Sequence, residues 1–156
     1  MAVVLVQQKD GRKFQSALEH ARRELPHGEA LARGPDIVLA IADAFWEFAE
    51  GPEVRNHAEV REAFYRERCK LFLAMEGNTV TGGFGVLNGE LIGLFAWPGT
   101  WGVWLLHRAM GEGATRLNCF DGFLPEYYAK YGWREVRREP NYEAGGPDVI
   151  YMEYAQ

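Results

Sequence analysis

The chain is short of the residues that most nucleophile and metal chemistry requires. It has one serine, two cysteines and four histidines in 156 residues. Ser16, the only serine, lies in a polar helix start, which argues against a serine-hydrolase triad. His20, His27, His57 and His107 are scattered, and none stands at ligand spacing from another His or Cys, so no metal site is expected. Cys69 precedes Leu71-Phe72-Leu73 and Cys119 adjoins Phe120, so both read as buried free thiols of a reducing compartment. Long apolar runs are also missing, and no segment reaches the length that spans a bilayer. The apolar start, Met1 to Val6, lacks the basic flank of a signal peptide, so a cytoplasmic protein is expected. Cations are outnumbered: 17 Lys and Arg against 22 Asp and Glu give a net charge of −5. That balance argues against phosphate-backbone binding as the main function. Two local basic clusters, Arg61-Arg66-Arg68-Lys70 and Arg134-Arg137-Arg138, read as solvated faces.

What is present is ordinary for a globular protein: 47% hydrophobic, 25% charged and 13% aromatic residues. The length favours one domain, 1–156, with a helix-rich half over 1–69 and a sheet-rich half over 70–156. An opening strand is predicted over Val3 to Val6. Phe14, Ala17, Leu18, Ala21 and Leu25 then fall at helical spacing, with Ser16 and Glu19 as a candidate capping box and Pro26 as the stop. A second helix is predicted from Pro35-Asp36, with Asp36 as N-cap, to Gly51-Pro52; a third starts at Asn56.

After Cys69 the period changes to that of strands. Leu71 to Met75, Thr79 to Leu87 and Glu90 to Trp97 read as an antiparallel meander, and Asn88-Gly89 is a type I′ hairpin signal. Gly82-Gly83-Phe84-Gly85 lies inside a strand and opens no helix, so it fails as a nucleotide loop and marks a bulge or a close backbone approach. A helix from Trp101 to Gly111, a strand from Arg116 to Phe120, a helix within Asp121 to Gly132, and strands from Trp133 and from Val149 to Tyr154 complete the order.

The segment from Asp121 to Trp133 carries the most specific pattern. Pro125 suits a first helical turn, and Gly132 suits a left-handed stop. Asp121 reads as a helix N-cap, and Tyr128 stands one turn before the glycine. With the strand order, this segment resembles the GNAT superfamily of acyl-CoA-dependent N-acetyltransferases, over roughly residues 70–154. That family often shows Asn, an apolar residue three later, then Tyr-x-x-x-Gly-Phe; here Asp121, Leu124, Tyr128, Gly132 and Trp133 take those places. The C-terminal half looks most like small GNAT-like proteins of tailed phages.

The resemblance implies an α/β (α+β) fold with a mixed, mostly antiparallel sheet and helices on both faces. It implies acetyl-CoA as co-substrate, an amine acceptor on a small molecule, peptide or protein, and a cleft where the fourth and fifth strands part. Leu94, Phe95, Ala96 and Trp97 would then meet the pantetheine arm. The turn Gly99-Thr100-Trp101-Gly102 would meet the pyrophosphate at a helix N-terminus. Of the family's Gln/Arg-x-x-Gly-x-Gly/Ala loop only Gly99 and Gly102 are matched. Tyr128 would be the general acid, and Glu90, Asp121 or His107 the base. Other readings stay open: Tyr128 as a core aromatic, Trp97, Trp101 and Trp104 as a cap on the sheet, and a virion or host-interaction protein that has lost coenzyme binding. A homodimer through an edge strand near Glu153 is also conceivable.

Overall fold

The change of period after Cys69 marks where the chain stops wrapping the sheet and starts building it. A computed structural model describes residues 2–25, 34–49, 57–141 and 143–154. Within them the order is β1 (Val4–Gln7), α1 (Arg12–Glu24), α2 (Gly34–Ala49), α3 (His57–Glu67), β2 (Cys69–Glu76), β3 (Thr79–Leu87) and β4 (Glu90–Ala96). Then come α4 (Gly102–Gly111), β5 (Arg116–Phe120), α5 (Phe123–Ala129), β6 (Trp133–Glu139) and β7 (Val149–Tyr154). The strands form one seven-stranded sheet ordered β1-β2-β3-β4-β5-β7-β6. Only β4 and β5 run parallel, joined by the α4 crossover.

Helices cover both faces, as expected. On one face Phe14 and Leu18 of α1, Ile37 and Ile41 of α2, and Phe64 of α3 pack on Leu71, Leu73 and Phe95. On the other, Leu105 and Leu106 of α4 and Leu124 and Tyr128 of α5 pack on Phe84, Leu117 and Ile150. This alternation of inward residues along β2 to β4 is what a sheet buried on both sides requires.

The helix starts differ from the sequence reading. α1 opens at Arg12 with Gly11 as N-cap, and Ser16 and Glu19 lie inside it, so no capping box forms. The Asp10 carboxylate instead accepts from the Arg12 N–H at 3.0 Å, which turns the chain into the helix. α2 opens at Gly34, which places Asp36 within its first turn rather than at its cap. Pro26, Gly51-Pro52 and Asn56 lie outside the described residues. Asp121 is not the N-cap of α5 either. That position is Gly122 at φ 131°, and Asp121 Oδ1 accepts from the Gly122 N–H at 3.0 Å. Glu153 lies on the internal strand β7; the edges are β1 and β6.

The hairpin and the glycine run behave as read. Asn88 and Gly89 both hold positive φ, 50° and 84°, as a type I′ turn demands. A Cβ on Gly82 would stand 2.7 Å from the Phe95 carbonyl, and one on Gly85 would stand 2.8 Å from Leu71 Cδ2. A bulge lies at each end of the run: Thr81 and Ile92 are the extra residues in their ladders. The Ile92 bulge positions the site. Beyond it β4 twists away from β5, and the two share only the pairs Glu90↔Arg116 and Leu91↔Leu117.

Candidate functional site

Because the β4–β5 ladder ends at Leu91, the next residues of β4 have no strand on one side. A cleft of about 400 Å³ opens there. Leu94, Phe95, Ala96 and Trp97 form one wall, and Phe123, Leu124, Tyr127 and Tyr128 of α5 form the other. Thr100 and Gly102 close one end, and Leu25 overhangs from the end of α1. A smaller apolar chamber, bordered by Leu91, Gly93, Leu117 and Cys119, continues inward and shares Leu94, Leu124 and Tyr128 with the cleft. The lining is almost wholly apolar and aromatic, with hydroxyls from Thr100, Tyr127 and Tyr128 as its polar points.

The turn from β4 into α4 is built by Pro98 and Gly99. Gly99 takes φ 96°, and the Thr100 N–H bonds the Trp97 carbonyl at 3.0 Å. Pro at the second position and a positive-φ glycine at the third define a type II turn. α4 then starts at Gly102, and its N-cap, Trp101, makes no side-chain cap bond. The first N–H groups of the helix are therefore without a side-chain cap at the end of the cleft. Trp101 turns outward, 77% exposed, and does not line the cleft. Gly99 is not among the lining residues either, although a Cβ there would meet nothing within 4 Å.

Tyr128 is 5% exposed and borders both the cleft and the inner chamber. Its ring meets Tyr127 edge-on at 5.5 Å and tilts on Trp133 at 6.2 Å. Burial, with Cys119 and Tyr127 beside it, pushes its phenol well above the ordinary tyrosine range. The group stays protonated, so its O–H is available as a hydrogen-bond donor. Trp133, where the family pattern has Phe, leaves its Nε1 buried with no partner among the described residues.

Tyr127, on the same wall of the cleft, is a residue that the family pattern does not mark. Its ring stacks on Phe123 at 6.0 Å and meets Tyr131 edge-on at 5.3 Å, and its hydroxyl lies 2.9 Å from where a Cβ on Gly102 would stand. A phenol thus reaches the start of α4. The signal in the sequence was the spacing of Phe123, Tyr127 and Tyr131, at which one helical stripe stacks.

The candidate bases are spread out. Glu90 starts β4 and accepts from Asn118 Nδ2 at 3.3 Å; Asn118 borders the inner chamber. Asp121 bonds Arg138 at 2.9 Å, as does Glu135, and Asp148 joins at 3.4 Å, a network that ties the start of α5 to β6 and the entry of β7. None of Glu90, Asp121 and His107 lines the cleft or the chamber. Cys119 borders the chamber, but burial, and then the charge of Asp121, pushes its thiol up to about 12, so it is no ready nucleophile. Among the described residues no group of His, Cys, Asp and Glu could hold a metal. No described helix is long and apolar enough to cross a membrane.

This fold matches those of solved acetyltransferases. The chain aligns over 97% of its length with 98% of a GNAT-family acetyltransferase from Streptococcus pneumoniae, at TM-score 0.56 and 15% identity. It aligns over its whole length with 99% of an aminoglycoside 6′-acetyltransferase type Ii, at TM-score 0.53 and 15% identity. A GCN5-related N-acetyltransferase from Rhodopseudomonas palustris matches over 99% of this chain and 95% of its own, at TM-score 0.53 and 15% identity. The fold is that of the GNAT acetyltransferases. No family model and no curated protein matches the chain. The likeness to phage proteins finds no support in these comparisons.

Proposed function

We propose that the protein is an N-acetyltransferase that moves an acetyl group from acetyl-CoA to a primary amine. The observation that carries this reading is the cleft beside the unpaired stretch of β4, with Tyr128 on its opposite wall. Backbone groups of Leu94 to Trp97 that face away from β3, left without a β5 partner, suit the amides of a pantetheine arm, and the apolar lining suits its methylenes. The uncapped start of α4, with Thr100 and the Tyr127 hydroxyl beside it, suits the pyrophosphate. An absent side chain at Gly102 keeps that approach open.

In this reading the amine nitrogen attacks the thioester carbon. The intermediate collapses with cleavage of the C–S bond, and the thiolate leaves. The proton lost by the amine passes to water. A thiol has a pKa near 8.5, below that of any tyrosine, so full proton transfer from Tyr128 to sulfur is uphill by about 2 kcal/mol or more. Tyr128 therefore serves by hydrogen bonding to the developing thiolate, and solvent completes the protonation.

Titration calorimetry with acetyl-CoA, with thiol release measured over a panel of primary amines, tests the reading. Wild type should bind, and Tyr128→Phe should bind with similar affinity while turnover falls about a hundredfold. Absence of both heat and thermal stabilisation at millimolar acetyl-CoA would sink it.

A further inference from the structure

A second concavity, of about 440 Å³, lies far from the cleft, between the end of β1 and α3. Gln7, Gln8 and Lys9 line one side, and Arg61, Tyr65 and Arg66 the other, with Glu62 the one acid among the described lining residues. Gln7 Nε2 reaches the Tyr65 carbonyl at 3.4 Å, so β1 and α3 are tied together here. Arg66 is paired with its neighbour Glu67 at 3.1 Å. Lys9 makes no ion pair among the described residues, and Arg61 leans on the Phe45 ring at 5.3 Å without a carboxylate. The groove is thus cationic on a chain of net charge −5.

The groove runs beside an open strand edge. β1 ends the sheet, and among the described residues no strand pairs with its outer side. The bond from the Gln8 N–H to the Leu71 carbonyl, 2.7 Å, fixes the phase of the β1–β2 ladder. Alternate residues of an antiparallel edge point their N–H and C=O outward, so here Leu5 and Gln7 do so. Val4 and Val6 are 54% and 43% exposed beside them. Exposed β-branched residues on an unblocked edge are what natural sheets avoid unless the edge is used.

We propose that β1 and the α3 groove together dock an extended acidic segment of a partner protein, which adds to the sheet as a further strand. Main-chain bonds to Leu5 and Gln7 would hold it, its apolar residues would cover Val4 and Val6, and its carboxylates would meet Lys9 and Arg61. A second copy of β1 fits poorly, because Val4 to Lys9 brings a lysine and no carboxylate. The proposal does not depend on the acetyltransferase reading.

Fluorescence anisotropy with two labelled peptides of about ten residues, one alternating Val and Glu and one alternating Val and Lys, tests it on the full chain. The acidic peptide should bind and the basic one should not, with affinity falling steeply as salt is raised. Lys9→Glu with Arg61→Glu should weaken the acidic peptide about tenfold or more. Leu5→Pro, which removes an outward N–H and no β2 bond, should weaken it further than Leu5→Ala, which carries the same loss of core packing but keeps the N–H. Equal binding of both peptides, or charge reversal without effect, overturns the proposal. So does a concentration-dependent dimer of wild type that Leu5→Pro dissolves.

Discussion

Gly102→Ala should stabilise the protein while impairing its ligand site. Gly102 is the first residue of α4, and alanine there recovers part of the roughly 1 kcal/mol that glycine costs a helix interior. The added Cβ would stand 2.9 Å from the Tyr127 hydroxyl and 3.9 Å from Ala96 Cβ. The hydroxyl is the far end of a side chain that can swing, so its displacement costs little. The net gain is about 0.5 kcal/mol at most, a rise of about 1–2 °C in melting temperature for a chain of this size. The methyl and the displaced phenol would then crowd the N–H groups that open α4. Loss of about 1.4 kcal/mol or more of binding follows, a tenfold weaker affinity for acetyl-CoA. Scanning calorimetry and titration calorimetry on the same preparation read both numbers. A melting temperature lower by several degrees would refute the packing argument. Unchanged coenzyme affinity would refute the placing of the pyrophosphate at this helix.

Two glycines offer the same substitution with opposite signs. Gly83→Ala would drive a Cβ to 2.7 Å from the Phe72 carbonyl and 3.1 Å from Leu73 Cδ2, and should cost about 2–3 kcal/mol in urea unfolding. Gly111→Ala, at the end of α4 with nothing within 4 Å, should gain up to about 0.5–1 kcal/mol in the same assay. Stability should also fall on the alkaline side. Burial pushes Cys69 and Cys119 up to about 12, whereas an unfolded thiol titrates near 8.5. Because the folded values are the higher ones, their stabilisation is complete below pH 8.5. It is lost above that by about 1.4 kcal/mol per pH unit for each thiol until the folded groups ionise. Urea midpoints at pH 8 and pH 10.5 should differ by about 3 kcal/mol or more, and a flat profile would mean that the thiols are not buried.

The fold was legible where local chemistry decides the backbone. Asn88-Gly89 and Gly132 name turns that need positive φ, and the strands Thr79 to Leu87, Arg116 to Phe120 and Val149 to Tyr154 were bounded by such signals. Caps were read less well, because a side chain that can cap competes with neighbours invisible in the sequence. Asp10, not Ser16, turns the chain into α1, and Asp121 is engaged by Arg138, seventeen residues on. The cleft was legible only through resemblance. Nothing local announces that Ile92 is bulged or that β4 leaves β5 after Leu91, since both depend on pairing across the sheet. The β1 groove escaped because Lys9 and Arg61 are 52 residues apart in the chain and only packing brings them to one surface.

The short seam between β4 and β5 has a mechanical meaning. Two paired residues join a leaf of β1 to β4 to a leaf of β5, β7 and β6. What holds the leaves together is side-chain packing across them, Phe84 and Leu91 with Leu117 and Ile150, rather than a ladder of backbone bonds. Such packing is lost all at once when a few side chains part, whereas each leaf keeps its own antiparallel ladders. The leaves are therefore natural units of sub-global opening.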